Sequence, residues 1–328
     1  MALAGQSFRA IWGATGRSAK LHEQIKLEPM PTESKIRIKD YYDLTPPIAH
    51  NAGDIWSGLP THGFIKSHNA RAIVITPACD LSQQKAWTAT YLPIVPINEY
   101  LLLPSFHHEI LSKTNNLLSH LEVADSLASP CRFSPPSVSD LKILNSKIDA
   151  LASQAGLGSK QQQALPKAMA GIKLLLNQHN ESLEKPSMED VQLLFGEKEL
   201  RAKLAKVISN SYALDIHFLP ADGQSNEWSG ILNHSVVLFR YAFSVPMEIL
   251  DRAQDINEKS WSDCTERLKL RLPGVACFHE TRPLKHISLK PRFLSDLLTR
   301  FVSLYVRIGS PDFSPQTINE YSSDIIGV

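Results

Sequence analysis

The stretch from Gly53 to Ile97 decides the fold. Gly53-Asp54-Ile55-Trp56 is followed by Leu59-Pro60 and then Gly63. An apolar run, Arg71-Ala72-Ile73-Val74-Ile75-Thr76, leads into Pro77, and a second run ends in Pro93-Ile94-Val95-Pro96-Ile97. Short β-branched runs punctuated by Gly, Pro, Asn and Ser read as consecutive strands of a small antiparallel barrel. Strands are expected at 53–58, 70–76 and 90–97. Ile73, Val74 and Ile75 are consecutive and β-branched, so the middle strand should be central and buried on both faces. Pro93 and Pro96 point to an edge or bulged position for the next strand, because proline donates no ladder hydrogen bond.

Upstream, residues 1–50 mix Arg, Lys, Glu and Pro with weak periodicity and read as an N-terminal arm, with an edge strand at 34–39. Downstream, the period changes. Phe106, Ile110, Leu117, Leu118 and Leu121 fall at helical spacing. Ser137 to Asp140 reads as a helix cap ahead of Leu141, Leu144 and Ile148. Pro166 should open another helix. Ser187 to Asp190 caps a fourth, with a break at Gly196. Strand patterns return at 214–219, 234–245, 267–272 and 275–280, and an amphipathic helix follows from Pro291 to about Ile308.

This order defines an α+β chain: a small antiparallel β-barrel interrupted by an all-helical insertion and closed by a C-terminal helix. The boundaries are 1–50 for the arm, 51–104 for the first part of the barrel, 105–212 for the insertion and 213–328 for the remainder. Strands 70–76 and 234–245 should share one sheet.

The whole chain narrows the chemistry. Its 328 residues carry a net charge of +1, so no global field recruits nucleic acid or acidic lipid. Cationic attraction must be local. Residues 265–307 hold nine Lys/Arg against three acids, and alternation would put Arg267, Lys269 and Arg271 on one strand face. Such a face neutralises phosphates. An ordinary solvated face is the competing reading.

Cys79, Cys131, Cys264 and Cys277 show neither disulfide-framework nor zinc-finger spacing. Reduced thiols in a cytoplasmic protein are expected, with no metal and no cofactor. Cys79 beside Asp80 reads as core filler next to a turn cap, with a nucleophilic thiol as the alternative. No run approaches a membrane span, and no P-loop, nucleophile elbow or His-Glu-x-x-His is present.

Gly53-Asp54-Ile55-Trp56, the strand beginning at Arg71, Val95-Pro96-Ile97 and the run Ser235 to Leu250 together resemble MazF/PemK-type toxins, small SH3-like barrels that cleave RNA. The chain departs from that pattern in having Asn98-Glu99 where the family places a hydroxyl after Pro-Ile, and Ala72 where it usually has Pro. The resemblance implies a metal-independent endoribonuclease, or a binder of single-stranded RNA or another nucleic acid, in a bacterial toxin or phage-defence system. Arg71 would be catalytic, its planar fork matching a phosphate. His62 and His68, in the loop that would cover the groove, could exchange protons. Trp56, Lys66, Lys85, Asn98, Arg267, Lys269 and Arg271 would contact nucleic acid. The alternative is a non-catalytic interaction or regulatory subunit of a defence or toxin–antitoxin complex, docking a protein partner through the helical insertion.

Overall fold

The computed structural model describes residues 38–306 except 66, 68, 124–126, 131–133, 155, 180–184, 225–228, 256 and 259, together with Ser314 and Gln316. Lys66, His68 and Cys131 therefore lie outside the described residues, as does most of the strand expected at 34–39.

The first elements of the described residues are α1 (Ile38–Tyr41), β1 (Tyr42–Asp43), β2 (Asp54–Ser57), β3 (Arg71–Val74), α2 (Ala78–Ser82), β4 (Thr88–Pro96) and α3 (Ile97–Tyr100). Five helices follow: α4 (His107–His120), α5 (Val138–Ala152), α6 (Ser159–Asn177), α7 (Met188–Phe195) and α8 (Glu197–Ile208). Then come β5 (Ile216–Leu219), β6 (Ser235–Leu238), β7 (Phe243–Pro246), α9 (Met247–Gln254), α10 (Trp261–Lys269), β8 (Leu284–Leu289) and α11 (Pro291–Tyr305). The class is α+β. The strands form one antiparallel sheet in the order β1-β8-β2-β3-β4-β6-β5, with β7 also on β4, curled into a half-barrel. β3, in the run 70–76, is central, and the run 234–245 joins the same sheet, not as one strand but as β6 and β7, broken by a turn at 239–242, which pair with different halves of β4.

Strand alternation sorts the core into three parts. Ile55, Ile73, Leu92, Ile94, Val237 and Ile287 project to one face, where Leu297 of α11 packs. On the opposite face, Trp56, Ala72, Val74, Tyr91 and Val245 meet α9 and α10. Farther along that second face, Val95, Ile216, Val236 and Leu238 meet α4 to α8.

Four local readings need correction. The 90–97 strand is central, not an edge. Its prolines are tolerated because β4 changes partner: β7 pairs with Thr88–Tyr91 and β6 with Ile94–Pro96. Thr90 N–H points to Thr76 Oγ1 on the β3 side, whereas Ile97 N–H points to the His234 carbonyl on the β6 side. Alternation therefore aims the Pro93 nitrogen into the gap between β7 and β6, where no ladder bond is required. Residues 267–272 form no strand, because α10 runs through Lys269, capped by Ser260 and burying Cys264, Thr265 and Leu268. Residues 275–280 fall largely in a 3-10 turn, Pro273–Phe278. Pro166 lies inside α6, which starts at Ser159.

Candidate functional site

Arg71 opens β3, and its side chain belongs to the face shared with Ile73. Among the described residues no carboxylate lies within 4.0 Å of its guanidinium. Its Nε is buried without a hydrogen-bond partner, and one Nη reaches only the Ala70 carbonyl, at 3.5 Å. Burial pulls the guanidinium below its ordinary pKa, and the charge of Asp222 partly offsets this. Asp222 is itself occupied, accepting from Gln224 N, Ser229 Oγ, Gly230 N and Ile231 N at 2.7–2.9 Å. Those bonds tie Asp222 to the stretch Ser229–Ile231, whose continuation through Leu232 and Asn233 faces Arg71. A cleft of about 20 Å³, lined by Asn69, Arg71, Asn233 and Ser235 among others, separates loop from strand. That is room for about one water-sized group, such as a single anionic oxygen.

A second pair stands beside Arg71. β2 pairs with β3 through Ile55↔Ile73 and Trp56↔Ala72, so the next step of the register sets Ser57 opposite Arg71 on the same face. On the other flank, β2 pairs with β8 through Ile55↔Ile287 and then Trp56↔Lys285. His286 is thus the extra residue of a β-bulge. Bulges re-aim side chains, and this one brings His286 Nε2 to 2.8 Å from Ser57 Oγ. Two glycines close the surroundings. A Cβ on Gly58 (φ +74) would meet Thr281 at 3.0 Å. A Cβ on Gly230 would meet Ile287 at 2.6 Å and His286 at 3.1 Å. The loop held by Asp222 therefore rests directly on the bulge.

The expected site residues scatter. His62 is exposed, has a left-handed backbone (φ 49) and lies against Phe243 at 5.4 Å between centroids. Phe243 packs with Tyr91 on the face opposite Arg71, so the fold does not join His62 to Arg71. Trp56 is 0% exposed and has no surface with which to stack on a base. Lys85 is exposed in the turn before β4, and Asn98 is exposed on α3; neither lines the Arg71 cleft. Arg267 binds Glu258 at 3.1 Å, Lys269 binds Glu266 at 3.4 Å and Arg271 binds Glu248 at 2.5 Å. The shared cationic strand face does not exist. Cys79 is exposed, so it is no core filler, and its Sγ lies 3.7 Å from Asp80 Oδ1.

Sequence reasoning missed Ser57 and His286. Ser57 directly follows the Gly53–Trp56 strand, a usable signal. Nothing in His286's neighbours announced a bulge. Asp54, in the same motif, has a structural task. It is 1% exposed and pairs with Lys285 at 3.3 Å, while Lys285 also donates to the carbonyls of Pro47, Ile48 and Ala49.

The arrangement defines a class: an antiparallel α+β protein with a half-buried guanidinium in a small cleft at one end of a curled sheet, and a serine–histidine pair on the neighbouring strands β2 and β8 that does not line that cleft. Comparison with protein-family models, with curated proteins and with solved structures finds no match.

Proposed function

We propose that the Arg71 end of the sheet binds the phosphate backbone of single-stranded RNA. In this reading the protein is a divergent, SH3-like relative of toxin barrels acting as a metal-independent endoribonuclease. One observation carries it: a half-buried guanidinium with no carboxylate within 4.0 Å among the described residues. An arginine serving only to brace a rim would be expected to have an anionic partner, since a buried unpaired charge is costly. A phosphate oxygen would supply that partner, with amide and hydroxyl groups of Asn69, Asn233 and Ser235 around it.

Fluorescence anisotropy on single-stranded RNA at two salt concentrations tests the binding. Arg71→Ala should weaken binding at low salt and flatten its salt dependence, while leaving the circular dichroism spectrum unchanged. Arg71→Lys should restore it only in part, because a point charge cannot form the bidentate fork. Wild-type failure to bind at low salt would end the nucleic-acid reading.

The reading as a non-catalytic subunit of a defence or toxin–antitoxin complex draws on one observation. An apolar groove of about 640 Å³ runs along α11, a surface outside the helical insertion expected to dock a partner, lined by Leu294, Leu298 and Val302 among others.

A further inference from the structure

We propose that the outer face of α11 is the seat of the chain's own residues 315–326, which fold back on it as a helix antiparallel to α11. The inference stands apart from the RNA reading. It bears on the partner reading in one respect: a protein partner that uses this groove must first displace the segment.

α11 carries more apolar surface than the sheet covers. Phe293, Leu297, Phe301 and Leu304 pack into the core beneath it, with Phe293 stacked on Tyr41 and Phe301 edge-on to Phe239. Leu294 and Leu298, half-buried at the margin of that core, continue with Val302 and Val306 at every fourth position and line the groove of about 640 Å³. Val302 is 51% exposed and Val306 66%. Apolar area left in water forfeits roughly 25 cal/mol per Å², so a stripe of this length gains by being covered.

The sequence after α11 selects the occupant. Val306, the C-cap of α11, is itself part of the groove, so the following residues start on the surface they cover. Gly309 and Pro311 end the helical path and let the chain reverse. Ser314-Pro315 has the form of a cap followed by proline at the first helical position, and Gln316 is helical. Ile318, Tyr321 and Ile325 follow at i, i+3 and i+7, with Glu320 and Asp324 on the opposite side and Gly327 as the stop. A helix over 315–326 spans roughly 18 Å and α11 about 22 Å, so the segment fits the groove end to end. Reversal at 307–313 gives an antiparallel helical hairpin that sets Ile318 by Val302, Tyr321 by Leu298 and Ile325 by Leu294. So short a connection holds the segment at an effective concentration on the order of millimolar, which favours it over a second copy of the chain.

Hydrogen exchange read by mass spectrometry tests this on the full chain. In the wild type, amides of 318–326 should exchange at least about 10-fold more slowly than in a synthetic peptide of residues 312–328, and dilution should not change this. Val302→Asp, on the exposed side of α11, and Ile325→Asp, in the segment, should each abolish the protection. The amides of α6 should stay protected in both variants, the check that the body is folded. If Val302→Asp opens α6 as well, the exposed groove residue Thr299, as Thr299→Asp, takes its place. Peptide-like exchange of 318–326 in the wild type, or protection that survives the groove substitution, overturns the proposal. Protection that is lost on dilution, with a doubled mass by light scattering, overturns it in favour of a second copy.

Discussion

A histidine buried without a hydrogen-bond partner is a defect unless it stays neutral, and His217 is such a residue. It is 1% exposed on β5, neither ring nitrogen has a partner among the described residues, and its ring lies 6.3 Å from Phe239. Burial pushes its pKa down to about 4; Arg300 adds to this and Asp296 opposes it. The unfolded chain takes up a proton near pH 6.5, the folded chain only near 4. Stability is therefore complete above pH 6.5 and falls as pH drops toward 4, by roughly 3 kcal/mol in all. Urea titrations at pH 7.5 and 4.5 should show this loss, and His217→Leu should reduce it, separating this group from titrating carboxylates. The Asp54–Lys285 pair is likewise buried, 2% and 6% exposed at the side chains. Lys285→Ala would strand a buried carboxylate, so a loss of about 3–5 kcal/mol is expected from chemical denaturation. These residues explain what was hidden in the sequence. Asp54 belonged to the clearest motif in the chain, but its partner lies 231 positions away, and no local pattern joins them.

Elements were legible where period and cap agreed. Ser137 accepts from Asp140 N at the start of α5, and Ser187 and Asp190 form the capping box of α7. Gly196, with φ +76, separates α7 from α8. They were misread where a short alternation imitated a strand: Arg267-Leu-Lys-Leu-Arg271 has a period of two, but burial of Cys264, Thr265 and Leu268 selects a helix. The opposite error hid β8, a six-residue strand containing Lys285, His286 and Ser288 and lacking a strong apolar signature. Helix contact depends on one glycine that periodicity could not single out. A Cβ on Gly171 of α6 would lie 2.2 Å from Thr114 Oγ1 of α4, and Thr114 is fully buried, bonded to the Ile110 carbonyl at 2.7 Å. Gly171→Ala should cost about 1–3 kcal/mol through overpacking. Thr114→Ala should recover part of that loss, and a double-mutant cycle on thermal or urea unfolding measures the coupling.

Across the whole molecule, the surplus of cations in the C-terminal third is largely consumed by the fold. Arg267, Lys269 and Arg271 are paired with acids. Arg282 donates to the carbonyls of Ala253, Glu258 and Asp255, satisfying groups at and beyond the end of α9. Charge reversal at Arg267, Lys269 and Arg271 should thus leave the salt dependence of RNA binding unchanged, whereas Arg71→Ala should lower its slope by about one. The anisotropy series at stepped salt distinguishes the two.

The helices of 107–208 are either a separable insertion or part of the body. Their core is shared. Ile110, Leu118, Ile148, Ile172 and Leu194 belong to one buried cluster with Val95, Ile216, Val236 and Leu238 of the sheet. Bridging residues 106–210 with a short linker would therefore bare an apolar strip on β4, β5 and β6, and exposed patches of that kind drive association. The sheet's other clusters, under α11 and under α9 and α10, would remain, so collapse without native packing is the expected state. Size-exclusion chromatography should find the deletion variant aggregated, and near-UV circular dichroism should be lost while far-UV strand signal persists. A soluble monomer with wild-type near-UV signal would instead establish the helices as an independent unit carried by a self-sufficient sheet.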